Sequence, residues 1–278
     1  MAEGGLVSQS NKIPAELGEE LGISNMSEDE LAAVESLLIQ AGVLQQTSSE
    51  DELIDIGLET DSKKVSVPSL KIRQRMTTDE SCPSETPLGG FFLTSGEEIK
   101  PPFKAIPLLM WVEHTKWSEE EGGIECRSPD GRTGTVYGKC SDCDHEPWKN
   151  NVRTSCKKSL NTILLSEDLK LVTVRFQGSS YRTGSGLGRA VGSRPVPWDK
   201  YVVLDTEKRT NKRGEYYVFV YRPSREAPEE NTRVLAKKVC LGLAETRKAA
   251  LRDFHDRLAG EEIKEGVVRV DLDDDPEY

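Results

Sequence analysis

The chain has 278 residues, 36% hydrophobic and 31% charged, with a formal net charge of −11. That balance predicts one compact domain with polar segments attached, and no apolar run approaches the roughly 20 residues of a membrane-spanning helix. The charge is uneven: residues 1–62 carry 14 acids against one base, 149–225 carry 16 Lys/Arg against 6 Asp/Glu, and 253–278 carry 10 acids against 3 bases. An acidic total thus encloses a basic centre, a pattern expected of a polyanion binder with acidic arms.

The N-terminus, MAEGGLVSQSNK, lacks the basic start and apolar core of a signal peptide, so a soluble cytoplasmic protein with reduced thiols is expected. Residues 1–66 read as an acidic, largely disordered arm with one helix near 28–41. Ser27 and Glu30 form its capping box, and Leu31, Val34, Leu37 and Leu38 form its apolar stripe. From Pro68 the period becomes two. Strands are predicted over 70–75, 103–112, 170–176, 200–206 and 215–222, with Pro107 marking an edge or a bulge. The glycine-rich stretch 178–192 reads as a loop or mobile lid, because no Gly-Lys-Ser/Thr follows to make it a phosphate loop. A helix is predicted within 226–260, with Gly242 weakening its middle, and 261–278 is an acidic tail. The fold class expected is mainly β. It comprises an oligonucleotide-binding (OB)-like five-stranded barrel over 67–225 with an inserted zinc ribbon at 124–157, the N-terminal arm, and the C-terminal helix and tail.

Two constellations carry chemistry. Cys126, Cys140, Cys143 and Cys156 can supply four thiolates to one structural zinc ion, with Cys140 and Cys143 on one tight turn. His145 can replace one of them, and four free buried cysteines are the plainer alternative. No HExxH or thioredoxin-like context accompanies the set, which argues against catalytic zinc or a redox CxxC. The second constellation is basic and aromatic: Arg73, Arg75, Lys157, Lys158, Arg175, Tyr181, Arg182, Arg189, Trp198, Lys208, Arg209, Lys212, Arg213, Tyr217 and Phe219. Lys and Arg can follow phosphates while aromatic rings stack on unpaired bases, and at least half of the aromatic residues are expected to be core. No compact carboxylate or histidine set inside the fold points to a nuclease or other enzyme. Asp271, Asp273, Asp274, Asp275 and Tyr278 close the acidic tail. That tail can act as a solubilising end, occupy the chain's own basic groove, or recruit partners.

Basic barrel, cysteine insertion and acidic C-terminus with a terminal aromatic residue together resemble the phage helix-destabilising, single-stranded DNA-binding proteins of the T4 type. The resemblance covers roughly Pro68 to Tyr278. It implies sequence-tolerant single-stranded DNA binding in phage replication or recombination, within the host cytoplasm, with replisome proteins as possible partners of the tail. The long acidic N-terminal arm departs from that family's short basic arm, and four cysteines replace its one histidine and three cysteines. A zinc-ribbon adaptor of a replication or transcription complex is the alternative function.

Overall fold

The structure is a computed structural model that describes residues 67–118, 123–147, 154–212 and 214–265, with Ser36 alone upstream and without the side chains of 261–265. Apart from Ser36, the acidic arm and its predicted helix lie outside the described residues, as do Trp148, Arg213 and the tail from Asp271 to Tyr278.

Alternation builds the sheet. In β1 (Ser69–Ile72), Leu70 and Ile72 are buried while Lys71 faces water. The short strands β2 (Phe91–Leu93) and β3 (Glu98–Ile99) follow, and then the long β4 (Phe103–Trp117) and β5 (Ile124–Ser128). A small hairpin of β6 (Thr133–Gly134) and β7 (Gly138–Lys139) forms a separate two-stranded sheet. β8 (Cys156–Ser166), β9 (Leu171–Gln177), β10 (Val202–Asn211) and β11 (Gly214–Pro223) complete the set. The main sheet runs β11-β10-β4-β8-β9-β1-β2-β3, with β5 also on β4, and curls into a half-barrel. Every pairing is antiparallel except β1 with β9. The five predicted strands correspond to β1, β4, β9, β10 and β11. β8 was hidden because its run SLNTILLS mixes polar and apolar residues without alternation, and it is buried on both faces.

The register of β4 on β8 shifts between Pro107 and Leu109. Proline has no N–H to give the ladder, and one extra residue there reverses which side chains face inward. Before the bulge, Phe103 and Ala105 belong to the inner cluster with Leu164, Val174 and Phe176. After it Met110 packs on that cluster, whereas Trp111 joins Ile106, Leu108 and Ile163 on the outer one. The even-numbered residues beyond, His114 and Lys116, therefore share the inner face, and Glu113 and Thr115 the outer.

Each face receives one helix. The stretch expected to be a loop is instead α1 (Tyr181–Gly192), whose Leu187 and Val191 plug the inner face. Two of its glycines, Gly184 and Gly186, serve close packing. A Cβ on Gly184 would stand 2.6 Å from Cβ of Phe176, so only glycine lets the helix approach the sheet at that point. α2 (Glu230–Glu265) covers the outer face through Leu235, Ala236, Val239 and Leu243, and runs unbroken through Gly242 to end beyond the predicted 260. Cys240 lies on its buried side, its thiol donating to the Leu108 carbonyl at 3.0 Å. Among the described residues no helix is long and apolar enough to cross a membrane.

The free edge of β11 is capped by side chains. The Gln74 amide accepts from the Tyr217 N–H at 2.9 Å and donates to its carbonyl at 2.8 Å. Two residues on, the Phe219 N–H donates to Ser180 Oγ at 3.3 Å, and its carbonyl accepts from Thr183 Oγ1 at 2.8 Å. The Tyr217 ring lies across Gly89, where φ is +81° and a Cβ would stand 2.4 Å from Cδ1.

Candidate functional site

Cys126, Lys116 and Cys156 face one another across β5, β4 and β8 in a single row on the inner face. Strands about 4.8 Å apart separate the outer two by roughly 10 Å, beyond the reach of a disulfide. All four predicted cysteines are free thiols. The β7 turn brings Cys140 and Cys143 over the row, and the four side chains line one small cavity of about 20 Å³ together with His114, Lys116, Ser128 and His145. Gly134 is part of the cradle, since a Cβ there would stand 2.7 Å from Cys126 Sγ. Thr154 Oγ1 donates to the carbonyls of His145 and Glu146 at 2.9 and 3.0 Å, tying the knuckle to the start of β8.

Burial pushes the Cys156 thiol up to about 11, and the neighbouring Cys140, Cys126 and Cys143 add to the shift. Burial likewise raises Cys140, against a hydrogen bond from Ser128 that favours its thiolate. His114 is 7% exposed, and neither of its ring nitrogens has a hydrogen-bond partner. A buried imidazole so placed is unusual, because buried polar atoms are nearly always paired. Four thiols and an unpaired imidazole make a donor set whose chemistry fits a soft divalent cation. Among the described residues, however, no group of three or more His, Cys, Asp or Glu is drawn close enough together to hold a metal ion. His145 turns its ring against Tyr137 at 5.0 Å, while its backbone N–H donates to Cys143 Sγ at 3.3 Å. Lys116 pairs with Glu125, which also accepts from the Tyr137 hydroxyl.

The predicted nucleic-acid residues divide among several surfaces. Phe219 is 6% exposed, with its ring 5.6 Å from that of Phe91 and 5.5 Å from that of Phe176, so it belongs to the core and cannot stack on a base. Tyr217 is half-buried over Gly89, and Trp198 packs on the outer cluster. The Arg73 guanidinium donates to the carbonyls of Ser84 and Thr86, which makes it a clasp for the 74–90 loop. Arg75 beside it is exposed. On the β10–β11 hairpin, Lys208 pairs with Glu215 at 2.6 Å and Arg209 with Glu207 at 3.0 Å, and Lys212 is exposed. Arg182 and Arg189, seven residues apart, are exposed on the face of α1 opposite Leu187. Lys158 Nζ lies 5.6 Å from the centre of the Tyr181 ring.

Lys157 and Arg175 lie on the outer face, where sequence reasoning missed their surroundings. Glu113 is 6% exposed and accepts from Arg127 Nε at 3.0 Å, Asn161 Nδ2 at 3.3 Å and Thr115 Oγ1 at 3.3 Å. Arg175 Nη2 lies 3.8 Å from the same carboxylate and donates to Thr115 at 3.2 Å. A buried carboxylate thereby fixes two exposed arginines, on β5 and β9, either side of β4 and β8. Glu113 and Arg127 carry no motif. Only the parity reversal at Pro107 shows that Glu113 shares the face of Arg175 and that His114 shares the face of the cysteines. Neither protein-family models, curated proteins nor solved structures gave a match to the chain.

Proposed function

We propose that the chain is a sequence-tolerant single-stranded DNA-binding protein, serving replication or recombination of the phage type, with its curled sheet an OB-like barrel. The observation that carries the reading is the Glu113 clasp on Arg127 and Arg175. Arginine held by a carboxylate behind it has its conformational cost met before a phosphate arrives, and the fork it turns outward suits phosphate oxygens. Lys157 lies next along the same face, whereas Arg182 and Arg189 are exposed on α1, on the other side of the sheet. In this reading Cys126, Cys140, Cys143 and Cys156 would hold one structural zinc, which when bound supplies covalent-strength ties between β5, the β7 turn and β8. The acidic tail from Asp271 to Tyr278 would compete for the basic surface or recruit replisome proteins.

Fluorescence anisotropy of a labelled oligonucleotide tests the reading. Binding that is micromolar or tighter, prefers single strands over duplex and falls steeply with salt is the expected result. Arg127→Gln with Arg175→Gln should weaken it at least tenfold and flatten the salt dependence. Equal affinity for duplex and single strand at low salt defeats the proposal.

A second reading, the adaptor, has its own observation. Trp117, Ile124, Val136 and Tyr137 are 47%, 51%, 59% and 39% exposed around the end of the cysteine ribbon, and exposed apolar groups gathered there suit a protein partner. A replication protein that stays bound after Arg127 and Arg175 are neutralised, and is lost on Trp117→Ser, favours it.

A further inference from the structure

α2 does not lie flush on the sheet along its whole length. Leu235, Val239 and Leu243 pack tightly, but beyond them the helix is held off the strands. Arg247 stands in the gap, its guanidinium 4.6 Å from the Trp111 ring and its Nη2 donating to the Pro129 carbonyl at 2.7 Å. Further along, His255 Nε2 lies 3.2 Å from Asp130 Oδ2, which ties the helix to the turn after β5. Between these two struts and the outer face of β4 lies a cleft of about 480 Å³. That is within the range of small-ligand sites, roughly 300–1,000 Å³.

The lining is of two kinds. Trp111, Leu251 and Phe254 offer flat or apolar walls, while Arg127, Arg247 and Arg257 supply positive charge. Arg127 is balanced by Glu113. Among the described residues, the bonds of Arg247 and Arg257 go to backbone carbonyls, at Pro129 and Asp253, and not to carboxylates. A ligand that answers both walls and charge is flat and weakly polar in one part and anionic in another, as a nucleotide is. The cleft also opens beside the Glu113 clasp, since Arg127 belongs to both.

We infer that this cleft receives a base from a bound single strand, with Trp111 and Phe254 as its walls and Arg127, Arg247 and Arg257 holding the flanking phosphates. The inference rests on the single-strand reading and adds to it a base-binding pocket off the sheet surface.

Ala250 lines the cleft from an exposed position on α2, so Ala250→Phe fills the space without removing charge. The test compares binding of an oligothymidine with binding of an abasic oligonucleotide of equal length, using the full chain. Ala250→Phe should lower affinity for oligothymidine about tenfold, the scale of one lost base contact, and leave the abasic strand as in the unsubstituted chain. Arg257→Gln, also at an exposed position, should weaken both strands alike. Circular dichroism melting checks that each variant is folded. If Ala250→Phe changes neither strand, or weakens both equally, the cleft holds no base, although the chain still binds single strands. If instead it weakens only binding of a synthetic DLDDDPEY peptide, the cleft is a peptide site and the inference fails. If the unsubstituted chain binds no single strand, both readings fall.

Discussion

Replacing Gly184 by alanine should destabilise the protein, whereas the same change at Gly188, one helical turn on, should not. Alanine in place of glycine inside a helix gains about 1 kcal/mol from propensity alone. At Gly188 nothing opposes the gain, because the nearest atoms to a new Cβ are Met110 Cε at 3.7 Å and Leu160 Cδ1 at 3.8 Å, ordinary contacts at flexible ends. At Gly184 the new methyl would meet Phe176 at Cβ, Cγ and Cδ2, at 2.6, 2.7 and 2.9 Å. Phe176 is fully buried, and its Cβ cannot swing aside without moving β9. Overpacking of this kind costs about 1–3 kcal/mol, and the backbone-anchored neighbour puts it at the upper end. The net loss at Gly184 is then about 1.5 kcal/mol. With a urea slope of about 2 kcal/mol/M, that lowers the unfolding midpoint by about 0.75 M, whereas Gly188→Ala raises it by up to about 0.5 M. Circular dichroism at increasing urea reads both. Equal midpoints for the two variants would refute the packing argument and return 178–192 to a loop.

Two further outcomes are expected. The purified chain should carry about one zinc per molecule by atomic absorption, and chelation should lower its melting temperature and loosen the ribbon. A Cys143→Ser variant that keeps full zinc occupancy would exclude Cys143 as a ligand. Asp130 should contribute to the acid limb of stability. Burial works against its charge, but the N–H groups of Thr133 and Arg132 and the Ser128 hydroxyl hold its carboxyl below the usual range. With the folded pKa depressed, the contribution is complete above the ordinary carboxylate value of about 3.9 and is lost as pH falls through the folded value. Melting temperatures of the parent chain should therefore fall more steeply below pH 4 than those of Asp130→Asn, and parallel curves would exclude the contribution.

Strands with one wet face announce themselves in the sequence. Leu70, Lys71 and Ile72, or Val174 to Gln177, alternate because one side meets water. β8 has no such side over Leu160–Ser166 and offers no period to read. α1 was obscured by the same glycines that place it, since a residue chosen for missing bulk looks, in sequence, like one chosen for conformational freedom. The four cysteines were legible as a set from their spacing, and they do line one cavity. Their neighbours were not, because His114 and Glu113 reach their faces through a bulge whose effect on parity is set by pairing with β8. Basic residues were legible as charges but not as contacts. Arg73 and Arg175 look alike in sequence, yet one holds a loop and the other turns outward beside a buried carboxylate.

The three side chains that cap the edge of β11 have a consequence for self-association. A half-open sheet ends in a row of unspent N–H and C=O groups, the feature by which sheets of separate molecules join edge to edge. At Tyr217 and Phe219 those groups are already taken by Gln74, Ser180 and Thr183. An incoming strand would have to displace four hydrogen bonds before making its own. Glutamine, serine and threonine thus let the sheet end without inviting another molecule to extend it.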